Sequence, residues 1–332
     1  MHGRNKTLMM GPDPEDDLPR ALKVKLVTCQ TLVQEPLSAF KSAIEQEPPP
    51  PTIYHYTDDN GLVGILQEGL FRLTDVFSLN DPSELRHGIG IASRLIRELG
   101  QRSEVSKSFA NSFEIIINYG IAEIANFFVC CFSKNGDELG QWRSYGDDGR
   151  GFALGFDAGM LEQAFAKSGA AAEWGCSAFP VTYDDARLTA LLTEMIEVVL
   201  QQVDAMKATD LDPHVASWFY RSLAIQLAVG CVDASLRFKH PAYASECEYR
   251  FLQLHSADDK LDTLRFRRRP YQIVRYMEFR WGAHAAAALQ TVTLGPSSDY
   301  SLGSRLLETL KAFLPTKKDV RLVRSEIPYR GR

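Results

Sequence analysis

IYHYTDDNGLVGILQEGLFRLTDVFSLNDPSE, residues Ile53–Glu84, reads as a strand, a tight helix, a second strand and the start of another helix. In an extended chain alternate side chains share a face, so Ile53, His55 and Thr57 point one way and Tyr54 and Tyr56 the other. Asp58 or Asp59 can cap the helix, Leu62, Ile65 and Leu66 give it an apolar stripe, and Gly69 can close it in the left-handed conformation. Phe71-Arg72-Leu73 forms the second strand. Asn80 or Asp81 then caps a helix with Pro82 in its first turn and Glu84 just inside it. A strand bearing one polar residue, a short helix and a polar helix start can together build one wall of a cleft.

On the N-terminal side, residues 1–17 are polar and rich in Gly and Pro, and disorder is expected there. Residues 18–51 hold a short helical segment and a proline-rich linker, Glu45-Gln46-Glu47 followed by four prolines, which serves as a stiff extended spacer. On the C-terminal side, helical patterns at Glu84–Leu99 and Ser103–Ile124 precede Asn126–Ser133, a short continuous apolar run and hence a buried strand. A turn follows, then a short helix with Trp142 and Tyr145, then strands at Gly151–Phe156 and Phe179–Tyr183. Two long apolar helical patterns, Ala186–Met206 and His214–Phe238, make a helical insertion over about residues 184–240. Strands at Glu246–Leu254, Gln272–Phe279, Leu289–Leu294 and Val320–Val323, with an amphipathic helix at Ser301–Leu314, complete the chain. Strands scattered among helices of varied length predict α+β, with mixed or antiparallel sheets about a central cleft in one domain spanning 52–332.

The net charge of −5 argues against non-specific nucleic-acid binding by the whole surface, while leaving room for a local basic groove. Six scattered cysteines show no metal-ligand spacing, and Cys130-Cys131 lie inside an apolar run, so reduced core thiols and no metal are expected. No signal peptide or membrane-length apolar stretch is read, and a cytosolic location is expected. The glycines at 149 and 151 lack the G-x-G-x-x-G spacing before a helix, and neither a phosphate-binding P-loop nor a G-x-S-x-G elbow occurs.

Glu246-Cys247-Glu248-Tyr249-Arg250 is the most unusual run. With a two-residue period Glu246, Glu248 and Arg250 share a face, and the two carboxylates about 7 Å apart raise each other's proton affinity. The adjacent guanidinium can offset that through a bidentate bond. A plain ion-paired strand face is the competing reading. Arg265, Arg267, Arg268 and Arg269, with Phe266 and Tyr271 interleaved, form the one dense basic run, able to grip a pyrophosphate or a nucleic-acid backbone.

These pieces carry a resemblance. Tyr54-His55-Tyr56-Thr57, Cys131-Phe132-Ser133, Trp142 with Tyr145, Gly151–Phe156, the Glu-x-Glu run, Leu294-Gly295-Pro296 and Ile327–Arg330 resemble a bacterial family of unknown function, DUF2971, over nearly all of the chain beyond its N-terminal arm. A strand with His-Tyr-Thr and a late strand with Glu-x-Glu are also similar to ADP-ribosyltransferases. That second resemblance implies NAD⁺ as co-substrate, a macromolecular acceptor (nucleic acid or protein), and a setting such as a toxin or phage-defence effector. It implies Glu248 as the carboxylate that stabilises the oxocarbenium-like transition state, Glu246 as the group that orients or deprotonates the acceptor, and His55 as an anchor for ribose or carboxamide. Tyr54, Tyr56, Thr57, Asn80, Glu84, Ser133, Trp142, Tyr145 and Arg250 would line the nucleotide. The middle element of a His-Tyr-Glu triad is not found. The alternatives are a non-catalytic nucleic-acid or partner-binding module on the same fold, and an NAD⁺ glycohydrolase.

Overall fold

The computed structural model describes residues 20–45, 48–79, 83–168, 175–206, 212–257, 261, 264–269, 272–299, 305 and 320–331. The expected disorder of residues 1–17 and the amphipathic helix at 301–314 lie outside the described residues, apart from a single helical position at Arg305. The elements in order are α1 (Arg20–Glu45), β1 (Thr52–Thr57), α2 (Asp59–Glu68), β2 (Phe71–Asp75), α3 (Ser83–Leu99), α4 (Glu104–Ile115), α5 (Ile121–Ile124) and β3 (Ala125–Ser133). Then come α6 (Leu139–Tyr145), β4 (Phe152–Asp157), α7 (Ala158–Ser168), β5 (Cys176–Pro180), α8 (Asp185–Met206), α9 (Pro213–Ser235) and β6 (Glu248–Ser256). The last are β7 (Arg265–Arg269), β8 (Gln272–Phe279), α10 (Gly282–Ala285), β9 (Leu289–Leu294) and β10 (Arg321–Arg324).

The chain divides into two compact units, one helical and one built on the sheet. The helical unit takes residues up to Lys41, Gly88–Ile121 and Arg187–Ala234, so it gathers more of the chain than an insertion at 184–240. Cys29, Val33 and Leu37, four residues apart on α1, are buried in a stripe. Gly230 on α9 is needed for close packing, since a Cβ there would lie 2.9 Å from the Met195 methyl group on α8. Asp204 accepts hydrogen bonds from Ser103 and Ser106 in the first turn of α4. Helix α9 is also long and apolar enough to cross a bilayer by length and composition, with a mean hydropathy of 1.3, contrary to the reading that no such stretch exists. Its Phe219, Leu223, Leu227, Cys231 and Val232 are buried inside the unit.

The sheet unit is α+β, and its ten strands form one open mixed sheet. Among the described strands, only the β9–β10 pair is parallel. β3 is its spine: along one edge it pairs with β6 through nine residues, from Ala125↔Ser256 to Ser133↔Glu248. The other edge is shared, with β1 meeting it at Ser133 and β2 at Val129 and Phe128. The sheet therefore forks. One arm runs β1-β4-β9-β10, the other β2-β8-β7.

Local chemistry explains the start of the fork. The Asp58 side chain accepts from the Gly61 N–H at 2.7 Å, and Gly69 closes α2 at φ 61°, as the sequence predicts. One sheet face carries Phe71, Leu73, Phe128, Phe132, Leu154, Phe156, Phe251 and Phe279, all buried, with α2, α7 and α10 packed over it. Full burial of each of these side chains contributes roughly 1.5–3 kcal/mol. Phe71 alone has ring contacts with Phe132, Phe156, Phe279 and Trp281.

The segment Ser325–Gly331 straps the far end of the unit. Ser325 Oγ donates to Asp137 at 2.6 Å, Tyr329 donates to Asp148 at 2.6 Å, and the Gly331 N–H donates to Ser297 at 2.7 Å. The strap holds a turn in which Asp147 and Asp148 both have positive φ, 47° and 51°, conformations that cost non-glycine residues energy.

Candidate functional site

Strand register decides which of the expected site residues meet. Directly paired residues of an antiparallel sheet share a face, so the row Glu248–Ser133–Tyr54–Gly155–Thr291 crosses one face of the sheet. Arg250 and Cys131 lie beside it on the same face. His55 and Thr57 belong to the opposite face, with the apolar core.

The register sets His55, expected beside Glu248, apart from the Glu248 cluster. Its ring packs 5.2 Å from Phe71 and 5.3 Å from Phe132, and its Nδ1–H donates to the Cys131 carbonyl at 3.1 Å. The histidine thus bridges the fork, satisfying a carbonyl where β1 and β2 part. Burial pulls its pKa down to about 4 against that hydrogen bond, so the ring is neutral at pH 7. Because an unfolded histidine binds its proton near 6.5, the folded state loses stability as pH falls from 6.5 through 4. His55→Phe is expected to flatten the pH dependence of the melting temperature in that window; an unchanged slope would assign the acid sensitivity elsewhere.

Thr57 is also a core residue: a Cβ on Gly61 would meet its Oγ1 at 1.9 Å, so it packs under the first turn of α2. Tyr56 and Trp142 lie on the same face as Glu248, but they are buried and cannot stack on a ligand. Their rings meet edge to face at 4.8 Å, Tyr56 donates to the Asn135 carbonyl, and Trp142 Nε1–H donates to Asp137 at 2.7 Å. Both polar ends are satisfied, and the pair supports α6. Asn80 lies outside the described residues, as does the side chain of Glu84.

Glu246, Glu248, Arg250, Ser133, Tyr54 and Tyr145 remain, and the fold brings them toward one place. Arg250 grips Glu248 bidentately, Nε to Oε1 at 2.7 Å and Nη2 to Oε2 at 2.9 Å, and its Nη1 donates to the Leu236 carbonyl. Lys239, missed by sequence reasoning, lies 3.4 Å from Glu248 and pairs with Glu246. Burial opposes ionisation of Glu248, yet the charge and hydrogen bonds of Arg250, with Lys239, outweigh it and pull the pKa down to about 2. The Cys131 thiol donates to the same carboxylate, and burial together with Glu248 holds that thiol well above its usual range. The backbone N–H of Glu248 donates to Tyr183, a second missed residue.

Glu246 is not on the strand. It ends a 3-10 turn, Pro241–Glu246, and Cys247 reverses the chain at φ 46° before β6 begins. The two-residue period therefore fails at Cys247, and Lys239 rather than the pleat joins the two acids. Ser133 Oγ donates to the Glu246 carbonyl at 2.7 Å and so fixes this turn. The Glu246 side chain is 19 % exposed against 7 % for Glu248. Tyr145, 44 % exposed, stands at the rim. Burial of its inner side and the charge of Glu246 push its pKa up to about 12. Tyr54 crosses Gly136 and Gly155, where a Cβ would approach its ring to 2.4 and 2.9 Å, so both glycines are required for its placement.

Arg265, Arg267, Arg268 and Arg269 form β7, an edge strand separated from β3 by β2 and β8. A cavity of about 370 Å³, lined by Pro48–Pro50, Lys134, Glu162 and Tyr249, contains none of the expected catalytic residues. Among the described residues, no group of three or more His, Cys, Asp or Glu side chains is placed to hold a metal ion.

No curated protein and no solved structure matches the chain. The family model described as a protein of unknown function, DUF2971, matches residues 141–251, about a third of the chain, and that stretch includes Tyr145, Tyr183, Lys239, Glu246, Glu248 and Arg250.

Proposed function

We propose that the chain is an ADP-ribosyltransferase-like enzyme that uses NAD⁺ to modify a macromolecular target, with Glu246 as its working carboxylate. The supporting observation is the gathering of two acids, one lysine and a half-exposed tyrosine about the start of β6. Cleavage of the nicotinamide–ribose bond builds positive charge at the anomeric carbon, and a carboxylate held close by stabilises it. Glu248 has both oxygens engaged by Arg250 and Lys239 and serves as the anchor of the cluster. Glu246 is the less enclosed acid, and its ion pair with Lys239 orients it. The ring of Tyr145 offers a face on which nicotinamide stacks. His55 has no part in this reading.

The test is incubation with labelled NAD⁺ and cell lysate, following nicotinamide release and label transfer separately. Glu246→Gln is expected to lower both by at least about a hundredfold, a barrier increase of about 3 kcal/mol. Full activity in that variant, or no consumption of NAD⁺ by the unaltered protein, would end the reading.

A further inference from the structure

We propose that β7 and its neighbour β8 form a track for single-stranded nucleic acid. β7 pairs with β8 on one side and stands at the end of the strand order. Its side chains alternate: Arg265, Arg267 and Arg269 share a face with Tyr276, while Phe266 and Arg268 share the other with Ile273 and Arg275. Cations therefore flank the edge on both sides.

The first face is organised around Tyr276. The guanidinium of Arg72 lies 5.4 Å from its ring centre and that of Arg267 lies 6.0 Å away. Arg267 donates to the neutral hydroxyl of Thr74 rather than to an acid. Burial lowers its pKa first, and the nearby Arg269 and Arg72 lower it further, a sign of like charges held together. On β8 and just beyond it, Arg275 pairs with Asp75 and Arg280 with Glu278, so those charges are offset internally.

The second face supplies a stacking surface. Phe266 is 62 % exposed and Ile273 72 %, on a strand pair otherwise rich in charge. Arginines two residues apart on a strand are spaced about 6.6 Å, close to the step between successive phosphates of an extended single strand. That row lies on the face opposite Phe266, so a strand following this edge meets backbone cations on one side and Phe266 with Arg268 on the other, the combination of charge and base–aromatic stacking that sequence-tolerant single-strand binders use. An arginine at every second position also discourages a further β-strand from pairing with this edge, which counts against a peptide as occupant.

The test uses the full-length protein and a fluorescein-labelled twenty-nucleotide poly-U, with anisotropy measured over a salt series. The unaltered protein is expected to bind with log Kd rising linearly in log salt. Arg268→Glu, at an exposed position that leaves the core intact, should weaken binding at least tenfold and shallow the slope by about 0.7. Phe266→Ala should weaken it about five- to a hundredfold with the slope unchanged. No binding at low salt, or an unchanged slope in Arg268→Glu, would overturn the proposal. So would competition by poly-glutamate as strong as that by unlabelled poly-U, which would indicate an acidic protein partner instead. NAD⁺ cleavage without lysate should be unaffected by either substitution, so failure here is distinguishable from failure of the transferase reading.

Discussion

Glu248→Ala is expected to remove about 3 to 5 kcal/mol of folding free energy, because it strands the Arg250 guanidinium in a buried site and takes away one of the two acids beside Lys239. Domains of this size hold only about 5 to 15 kcal/mol in total, so the loss would be large. Arg250 is 2 % exposed, and its bidentate partner cannot be replaced by water without opening the sheet face. The measurement is the denaturant midpoint at constant slope. Glu248→Leu combined with Arg250→Met should recover much of the loss, since buried pairs can be exchanged for apolar residues at little cost. A Glu248→Ala protein with an unchanged midpoint would refute the network as a stabilising element. The pH dependence follows with a definite sign. The folded pKa of about 2 lies below the ordinary 4.5, so the contribution is complete above pH 4.5 and disappears as pH falls through 2.

Trp142→Ala should cost about 3 to 5 kcal/mol as well, through loss of buried ring surface and the cavity left behind. Trp142 is fully buried, stacks edgewise on Tyr56, and shares Asp137 with Ser325. It also sits three residues before Tyr145 on α6, so the substitution should displace the rim of the site. Unfolding curves and the near-ultraviolet circular dichroism of the protein would register both effects. Trp142→Phe keeps most of the volume and loses the bond to Asp137, and should fall between. A loss below 1 kcal/mol in Trp142→Ala would mean that α6 is held chiefly by other contacts.

Local signals were readable where local chemistry decides the outcome. Asp58 and Gly69 delimit α2 by capping geometry alone, and the unbroken apolar run of β3 announces a strand buried on both faces. The bidentate grip of Arg250 on Glu248 was also legible, because both lie two residues apart on one strand. Relations between distant segments were not. Whether His55 faces the core or the polar cluster depends on its pairing with Leu154 and on the fork in the sheet, neither of which leaves a trace near position 55. Lys239 carries no motif; only its position, beside Arg237 between a long apolar helix and Pro241, hints at a buried partner. β7 was hidden for another reason. Arg-Phe-Arg-Arg-Arg has no apolar alternation, so only pairing with β8 reveals it as a strand.

The strap at Ser325–Gly331 gives the molecule a timetable. Asp137, which holds both Trp142 and the strap, waits for a residue 188 positions later in the chain. At ribosomal rates of about 5 to 20 residues per second, that wait is roughly ten to forty seconds. Throughout it, the Asp147–Asp148 turn lacks Tyr329 and Ser297's tie to Gly331, while α6 and Tyr145 already exist. The rim of the site is thus among the last places to become rigid in a newborn chain, long after β1 and β3 can pair.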